Sequence, residues 1–358
     1  MSRPTEPNLL KTIRPELLER LVTLSRRHIA VYSTVSTDPP IFYIPRFANN
    51  IAEFTDSFSF LFDRLNSRRV YVLYAHYSSV TPREADEIAK LEVEHRRTYP
   101  SFTFIHLCNY NEQLERLKSL GLNAYFCSHN AFVDENLFKP LDDVEKTVDA
   151  VYDARFIPCK RHHLASDLES LGLIYYTVPN ENETFIENAK RNFAHATFFN
   201  HSDSGEYNTL SAAQVNRALN QCRVGLCLSK EEGAMFASIQ YLLAGIPVVT
   251  TASIGGRDEF FDDENSITVE PDPSSVKRGV QIMIERNVDR DRIRGRTLER
   301  MNVHRQRLIS LVQDIYDSEG TGRNFSREWD GIFFNKLVRN QKHVETLEMF
   351  NELQIRVA

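Results

Sequence analysis

The sequence predicts an α/β protein of two doubly wound domains, each a mostly parallel sheet covered by helices. Three observations lead there. Short apolar runs of strand length alternate with segments of helical periodicity through most of the chain. A polar stretch containing proline, Leu137-Phe138-Lys139-Pro140-Leu141-Asp142-Asp143, interrupts that alternation as a junction between domains does. The length, 358 residues, exceeds what one ordinary core organises and suits two domains of roughly 150 residues. The expected divisions are residues 1–142, residues 143–320 and a helical tail over 321–358 that returns to the first domain.

In the first division, Leu17, Leu18, Leu21 and Leu24 have helical spacing within residues 14–25, and Ile29-Ala30-Val31-Tyr32 reads as the first strand. Thr37-Asp38-Pro39-Pro40 breaks the pattern. Residues 51–65 are expected to be helical, followed by a strand at Val70-Tyr71-Val72-Leu73-Tyr74. Thr81-Pro82-Arg83-Glu84 has the form of a helix start, with a capping hydroxyl, proline at the first position and glutamate three residues after the cap. That helix should reach about Arg96. A strand at 102–105, a helix over 111–120 closed by Gly121 and a strand at 124–127 complete the first domain.

In the second division a strand starts at Ala150-Val151-Tyr152, a helix is expected over residues 162–171 and a strand over 173–176. Residues 184–191 read as helix, 196–199 as strand and 212–221 as helix. Val224-Gly225-Leu226-Cys227-Leu228 is short and apolar enough for a buried parallel strand. The next helix should begin near Gly233 and end at Gly245, which fits a left-handed cap, with Pro247 preventing continuation and a strand at Val248-Val249-Thr250. Residues 276–316 look helical with a break near Asn287. Their dense arginines are interleaved with Asp289, Asp291 and Glu299, which reads as a solvated helix face rather than a surface for RNA. The tail over residues 325–350 carries Trp329, Phe333, Phe334, Leu337, Leu347 and Phe350, enough apolar surface to pack on another element.

Composition narrows the function. Lys+Arg 43 against Asp+Glu 49 gives a formal charge of -6, which supplies no general attraction to nucleic acid or anionic lipid, so any anion site must be local. The five cysteines show no Cys-x-x-Cys spacing and read as reduced core residues of a cytoplasmic protein. The first residues lack the apolar core of a signal peptide, and no run of about 18 apolar residues occurs. The expectation is a chain without an integral membrane segment, peripheral contact with the inner face of a membrane being left open.

A local anion site is legible at the strand, glycine-containing turn and helix start of residues 224–236, because unpaired amides and the positive helix end meet there. Ala154-Arg155-Phe156-Ile157-Pro158-Cys159-Lys160 ends the first strand of the second domain and sets two cations at the same carboxyl edge, where open α/β sheets bind ligands. Arg155 can hold a diphosphate in bidentate fashion and Lys160 as a point charge, with amides of residues 233–236 taking other oxygens. The neighbouring His162-His163 point about 100 degrees apart on a helix and lack metal partners, so they read as surface or capping residues. Asp262-Asp263-Glu264-Asn265 reads as a polar turn between strands.

Arg155 and Lys160, taken with Ser229-x-x-Glu232-Gly233, Gly245-x-Pro247-Val248-Val249, Gly255-Gly256 and Glu259, resemble the nucleotide-sugar half of GT-B glycosyltransferases, close to family 4 (glycosyl transferases group 1). Val133-Asp134-x-x-x-Phe138-x-Pro140 is similar to that family's domain-closing segment. The resemblance covers about residues 124–285; the first hundred residues share only the layout, and the family's glycine-rich loop is missing there. It implies two Rossmann-like domains facing a cleft, and a retaining hexosyltransferase of polysaccharide-biosynthesis type whose donor is a nucleotide diphosphate sugar, with no cofactor and no metal. The acceptor would be a glycan, a lipid-linked intermediate or a small molecule.

On matching positions the resemblance makes Arg155, Lys160 and Glu232 the catalytic residues. The two cations would bind the diphosphate and Glu232 the donor sugar's hydroxyls. Gly233, Ala234, Met235 and Phe236 would contact the donor, and Gln240 stands where the family has its second, ribose-binding glutamate. An amide still donates and accepts hydrogen bonds but lacks the charge that strengthens them. The family's glycine before the arginine is Ala154 here. His76, at a strand end of the first domain, is the candidate for reaching the donor sugar across the cleft. Two alternatives stand beside the transferase: a catalytically weakened relative that binds a nucleotide sugar or glycan as a partner subunit, which Gln240 motivates, and a sugar-nucleotide epimerase.

Overall fold

In a computed structural model, residues 29–46, 51–177, 183–202 and 204–350 are described. The helix expected over residues 14–25 lies outside them. The proline-rich break at residues 37–40 proves to be the turn of a hairpin. It joins β1 (Ile29–Thr37) to β2 (Pro40–Arg46), and the two pair antiparallel. Sequence reading passed over β2 because prolines bracket it, yet each of its residues is buried. Then follow α1 (Ile51–Leu65), β3 (Val70–His76), α2 (Pro82–Thr98), β4 (Phe102–Cys108), α3 (Asn111–Ser119) and β5 (Ala124–Phe126). The Thr81 hydroxyl accepts from the Glu84 N–H and the Glu84 carboxylate from the Thr81 N–H, the capping box the sequence spells. From β2 to β5 the sheet is parallel.

The second domain comprises β6 (Val148–Asp153), β7 (Leu171–Ile174), α4 (Glu183–Asn192), β8 (Thr197–Phe198), α5 (Ala212–Asn220), β9 (Cys222–Cys227), the short β10 (Glu231–Glu232), α6 (Phe236–Leu243), β11 (Val248–Thr251), the short β12 (Ile254–Gly255), β13 (Ser266–Val269) and α7 (Pro273–Arg286). Its main sheet runs β13-β11-β9-β6-β7-β8, parallel throughout. Chain order reverses between β6 and β9, so the switch point of this doubly wound sheet lies at their carboxyl ends. Gly245 takes φ 71 and ends α6 as expected.

The helix expected over residues 162–171 does not form. Arg161 adopts the left-handed conformation (φ 51), and two short 3-10 turns, Pro158–Lys160 and His162–Ala165, replace it. His162 is buried rather than at the surface, its ring packed 4.8 Å from Tyr152 and 4.5 Å from Phe156. That aromatic contact holds the loop against β6, and a continuous helix would lift it away.

Asn287, left-handed at φ 45, separates α7 from α8 (Arg290–Ser318), where the sequence placed a break. Ile293 and Met301 of α8 belong to the second core, whereas Leu308, Val312 and Tyr316 belong to the first. One rigid helix therefore ties the domains together. Its arginines are not all a solvated face. Arg294 donates to the carbonyls of Glu135, Phe138 and Leu243, and Arg305 to those of Ala131 and Val133, so both clamp the segment between the domains. The tail returns as α9 (Phe325–Ile332), β14 (Arg339–Lys342) and α10 (His343–Met349). Phe325 and Trp329 enter the first core, and β14 pairs antiparallel with β1. No helix among the described residues is long and apolar enough to cross a membrane.

Candidate active site

A cavity of about 620 Å³ opens at the carboxyl ends of β6 and β9. Arg155, Lys160, Glu232, Met235, Phe236 and Gln240 line it from the second domain. Tyr77 and His129 line it from the first, and Asn335 and Lys336 from the tail.

Each wall has a local cause. β6 ends at Asp153, and the chain turns outward so that Arg155 lies 5.5 Å from the Tyr176 ring centroid. The Tyr152 hydroxyl donates to the Lys160 carbonyl at 2.5 Å and anchors that turn. The Lys160 ammonium forms an ion pair with Glu232, whose carboxylate also accepts the Ser229 hydroxyl at 2.7 Å. These side chains are only 16% and 13% exposed, so charge is concentrated where little water screens it.

The loop after β9 is braced from beneath. Arg257, fully buried, donates to the Ser229 carbonyl at 2.8 Å, the Thr250 hydroxyl at 2.6 Å and the Thr251 carbonyl at 2.5 Å. Arg161 donates to the Leu228 carbonyl at 2.6 Å. Pairing of β10 with β12 then sets Glu232 beside Gly255.

The helix begins at Phe236, later than the sequence suggested, because Met235 is left-handed at φ 55 and acts as its cap. Gly233 and Ala234 do not line the cavity; they form the seam with the first domain. A Cβ on Gly233 would lie 2.4 Å from the Tyr77 carbonyl oxygen, so only glycine permits that approach. The Asn130 amide donates to the Ala234 carbonyl at 2.6 Å and to that of Met235 at 3.2 Å. Gln240 points to the cavity from α6 and is 6% exposed.

His76 does not reach the cavity. It is buried in the first domain with its Nε2 3.0 Å from His106 Nδ1, and His106 in turn contacts Glu92, which pairs with Arg96. Burial, with His106 beside it, holds the His76 imidazole well below its usual range and therefore neutral. His129 lines the cavity from the first domain instead. Its ring stands 4.3 Å from Tyr77 and 4.8 Å from Phe236, and burial pushes its titration down to about 3. A signal for it is present in sequence: His129-Asn130 lies two residues before the Val133-Asp134 motif.

Sequence reasoning also missed Asp153 and Lys336. Burial raises the Asp153 carboxyl to about 6, and burial lowers the Lys336 ammonium from its usual value. Glu259, named only as part of a motif, accepts from His304 Nε2 at 3.1 Å, while His304 Nδ1 accepts the Ser128 N–H at 3.1 Å. The second bond fixes the tautomer and links α8 to the segment joining the domains.

Two Rossmann-like domains, a cavity at the switch point of the second and a C-terminal segment that recrosses to the first define the GT-B fold of glycosyltransferases. HepE from Anabaena in complex with UDP-glucose matches with a TM-score of 0.54 at 14% identity over 78% of this chain and 78% of that chain. The same protein in complex with UDP gives 0.52 at 14% identity over the same shares, 78% and 78%. TarM, an S. aureus protein, gives 0.51 at 12% identity over 76% of this chain and 54% of that one. No family model matches the sequence, and no curated protein sequence does either.

Proposed function

We propose that the chain is a retaining glycosyltransferase that moves a sugar from a nucleotide diphosphate sugar to a glycan, lipid-linked or small-molecule acceptor. One observation carries this reading: two cations and a carboxylate, Arg155, Lys160 and Glu232, line one cavity at the switch point of the second sheet, with the first domain facing it. The match in fold to a protein holding UDP-glucose supports a donor of that class.

Arg155 and Lys160 would bind the diphosphate and stabilise the charge that grows on it as the bond to the anomeric carbon breaks, an effect often worth several kcal/mol. Glu232 would accept hydrogen bonds from the sugar hydroxyls. The acceptor oxygen would bond to the anomeric carbon on the face the diphosphate leaves, and the departing oxygen would take the acceptor's proton. His129, which borders the cavity where His76 does not, would be the first-domain histidine beside the donor sugar.

The deciding experiment is a thermal-shift screen of nucleoside diphosphates and sugar nucleotides, with Arg155→Ala and Lys160→Ala beside the native chain. A ligand at a hundred times its Kd should stabilise the native protein by about 2.7 kcal/mol, and either substitution should remove most of that. A screen in which no compound stabilises the native chain, with no donor hydrolysis, would defeat the proposal. Gln240 favours a second reading, a weakened relative that binds the donor without turning it over; donor binding without transfer to any acceptor would support it.

A further inference from the structure

We infer that Lys336, from the C-terminal tail, is a third donor-contacting cation that meets the diphosphate from the first-domain side of the cavity. The inference rests on the nucleotide-diphosphate reading above. Four observations converge on it.

Lys336 lines the same cavity as Arg155 and Lys160. Its ammonium lies 4.3 Å from the Phe236 ring centroid, across the gap between the domains, where the ring's negative face holds a cation. The backbone beneath it is left-handed at two successive residues, Lys336 at φ 64 and Leu337 at φ 51. Residues with a Cβ avoid that conformation, and where it persists the surroundings impose it, most often at a binding site.

Those surroundings are visible. Asn335 Oδ1 accepts the Asp134 N–H at 3.1 Å, the Tyr77 hydroxyl donates to the Lys336 carbonyl at 3.4 Å, and the Ser33 hydroxyl donates to the Leu337 carbonyl at 2.5 Å. The Leu337 side chain is buried in the first core. The turn is thus fixed on both flanks; of its two residues at the cavity, Asn335 is engaged with Asp134, and Lys336 brings a cation. Asp153 and Glu232 are the acids of the second domain's wall; Glu232 is paired with Lys160, and no ion pair joins either acid to Lys336 among the described residues, which leaves the ammonium able to turn to an anion.

The test is calorimetric titration of the full chain with UDP, GDP and ADP and with the matching nucleosides, for the native protein, Lys336→Asn, Lys336→Gly and Lys336→Arg. Asparagine and glycine accept the left-handed backbone, so both variants should melt at or above the native midpoint. Both should nevertheless bind the preferred diphosphate about tenfold more weakly, as loss of a charged hydrogen bond requires, while nucleoside binding holds. Lys336→Arg should recover most of the affinity.

Unchanged diphosphate binding in the neutral variants would overturn the inference and leave the transferase reading standing. Equal weakening toward nucleoside and diphosphate, or a lowered midpoint accompanying the loss, would mark a structural role and overturn it too. A native chain that binds no diphosphate would overturn both.

Discussion

Asp153→Asn should stabilise this protein at pH 8 and do almost nothing at pH 4. Asp153 is the last residue of β6, its backbone N–H donating to the Tyr241 hydroxyl at 2.7 Å and its side chain at the cavity wall. Burial raises its carboxyl from 3.8 to about 6, against the opposing pull of Lys336 and Lys160. The folded state therefore holds the proton more tightly than the unfolded chain, so stability falls as pH rises between those two values. Each pH unit is worth about 1.36 kcal/mol, which gives about 3 kcal/mol above pH 6, reduced to about 2 kcal/mol by the solvent that reaches the cavity. Asparagine keeps the shape without the charge. In thermal melts the variant should gain about 4 °C at pH 8, and under 1 °C at pH 4, where the native carboxyl is largely protonated in the folded state. It should also bind nucleoside diphosphate more tightly above pH 6, one negative charge having left the cavity. Equal gains at both pH values, or none at pH 8, would refute the reasoning.

Glu232→Gln removes the partner of Lys160, so UDP should bind several-fold more tightly while sugar transfer falls at least tenfold, measured by calorimetry and by turnover of the donor. Gln240→Glu restores the charge that strengthens ribose binding and should lower the donor KM, by up to about tenfold for one charge-assisted hydrogen bond; a protein that serves only as a binding subunit stays inactive. Gly233→Ala drives a Cβ to 2.4 Å from the Tyr77 carbonyl, so the domains must part, at about 1–3 kcal/mol by denaturant melts, and with weaker ligand binding. His304→Ala leaves the buried Ser128 N–H without its acceptor and should cost about 1–3 kcal/mol, whereas Glu259→Gln, which still accepts from Nε2, should cost under about 1 kcal/mol.

In the second domain β9, buried at every residue but Arg223, reads as an apolar run, and the turns around it stand where glycine and proline do. The switch point follows from the order of the strands, and with it Arg155 and Lys160 in the loop after β6 and Glu232 in the short strand after β9, positions set by nearby chain rather than by distant packing. The failures have one physical source. β2 is flanked by prolines that mark turns but also suit a strand's first residues, and β14, Arg339–Lys342, has an exposed, polar pattern that no periodicity separates from loop. Both are strands by virtue of their neighbours. The segment at 162–165 fails as a helix for the same reason: the rings of Tyr152 and Phe156 hold His162, and no local pattern records that.

The site divides along the same line. Residues fixed by the strand ends nearest them were found from sequence, whereas His129 and Lys336 enter the cavity only through the meeting of parts far apart in the chain. The sequence points to His76 because a strand end in the first domain faces the cleft in a doubly wound fold. Its side chain instead turns into the sheet, toward His106 on the neighbouring strand, and the cavity is reached one residue later, by Tyr77. Alternation along a strand makes that one-residue difference decide between core and cleft. The reach of the tail is governed by α8. Because that helix begins in the second core and ends in the first, it delivers residues 325–337 to the first domain, where Asn335 and Lys336 face the second domain across the cavity. A substitution that loosens α8 at Arg305 or His304 therefore acts on both the angle between the domains and the position of Lys336, although neither residue lines the cavity.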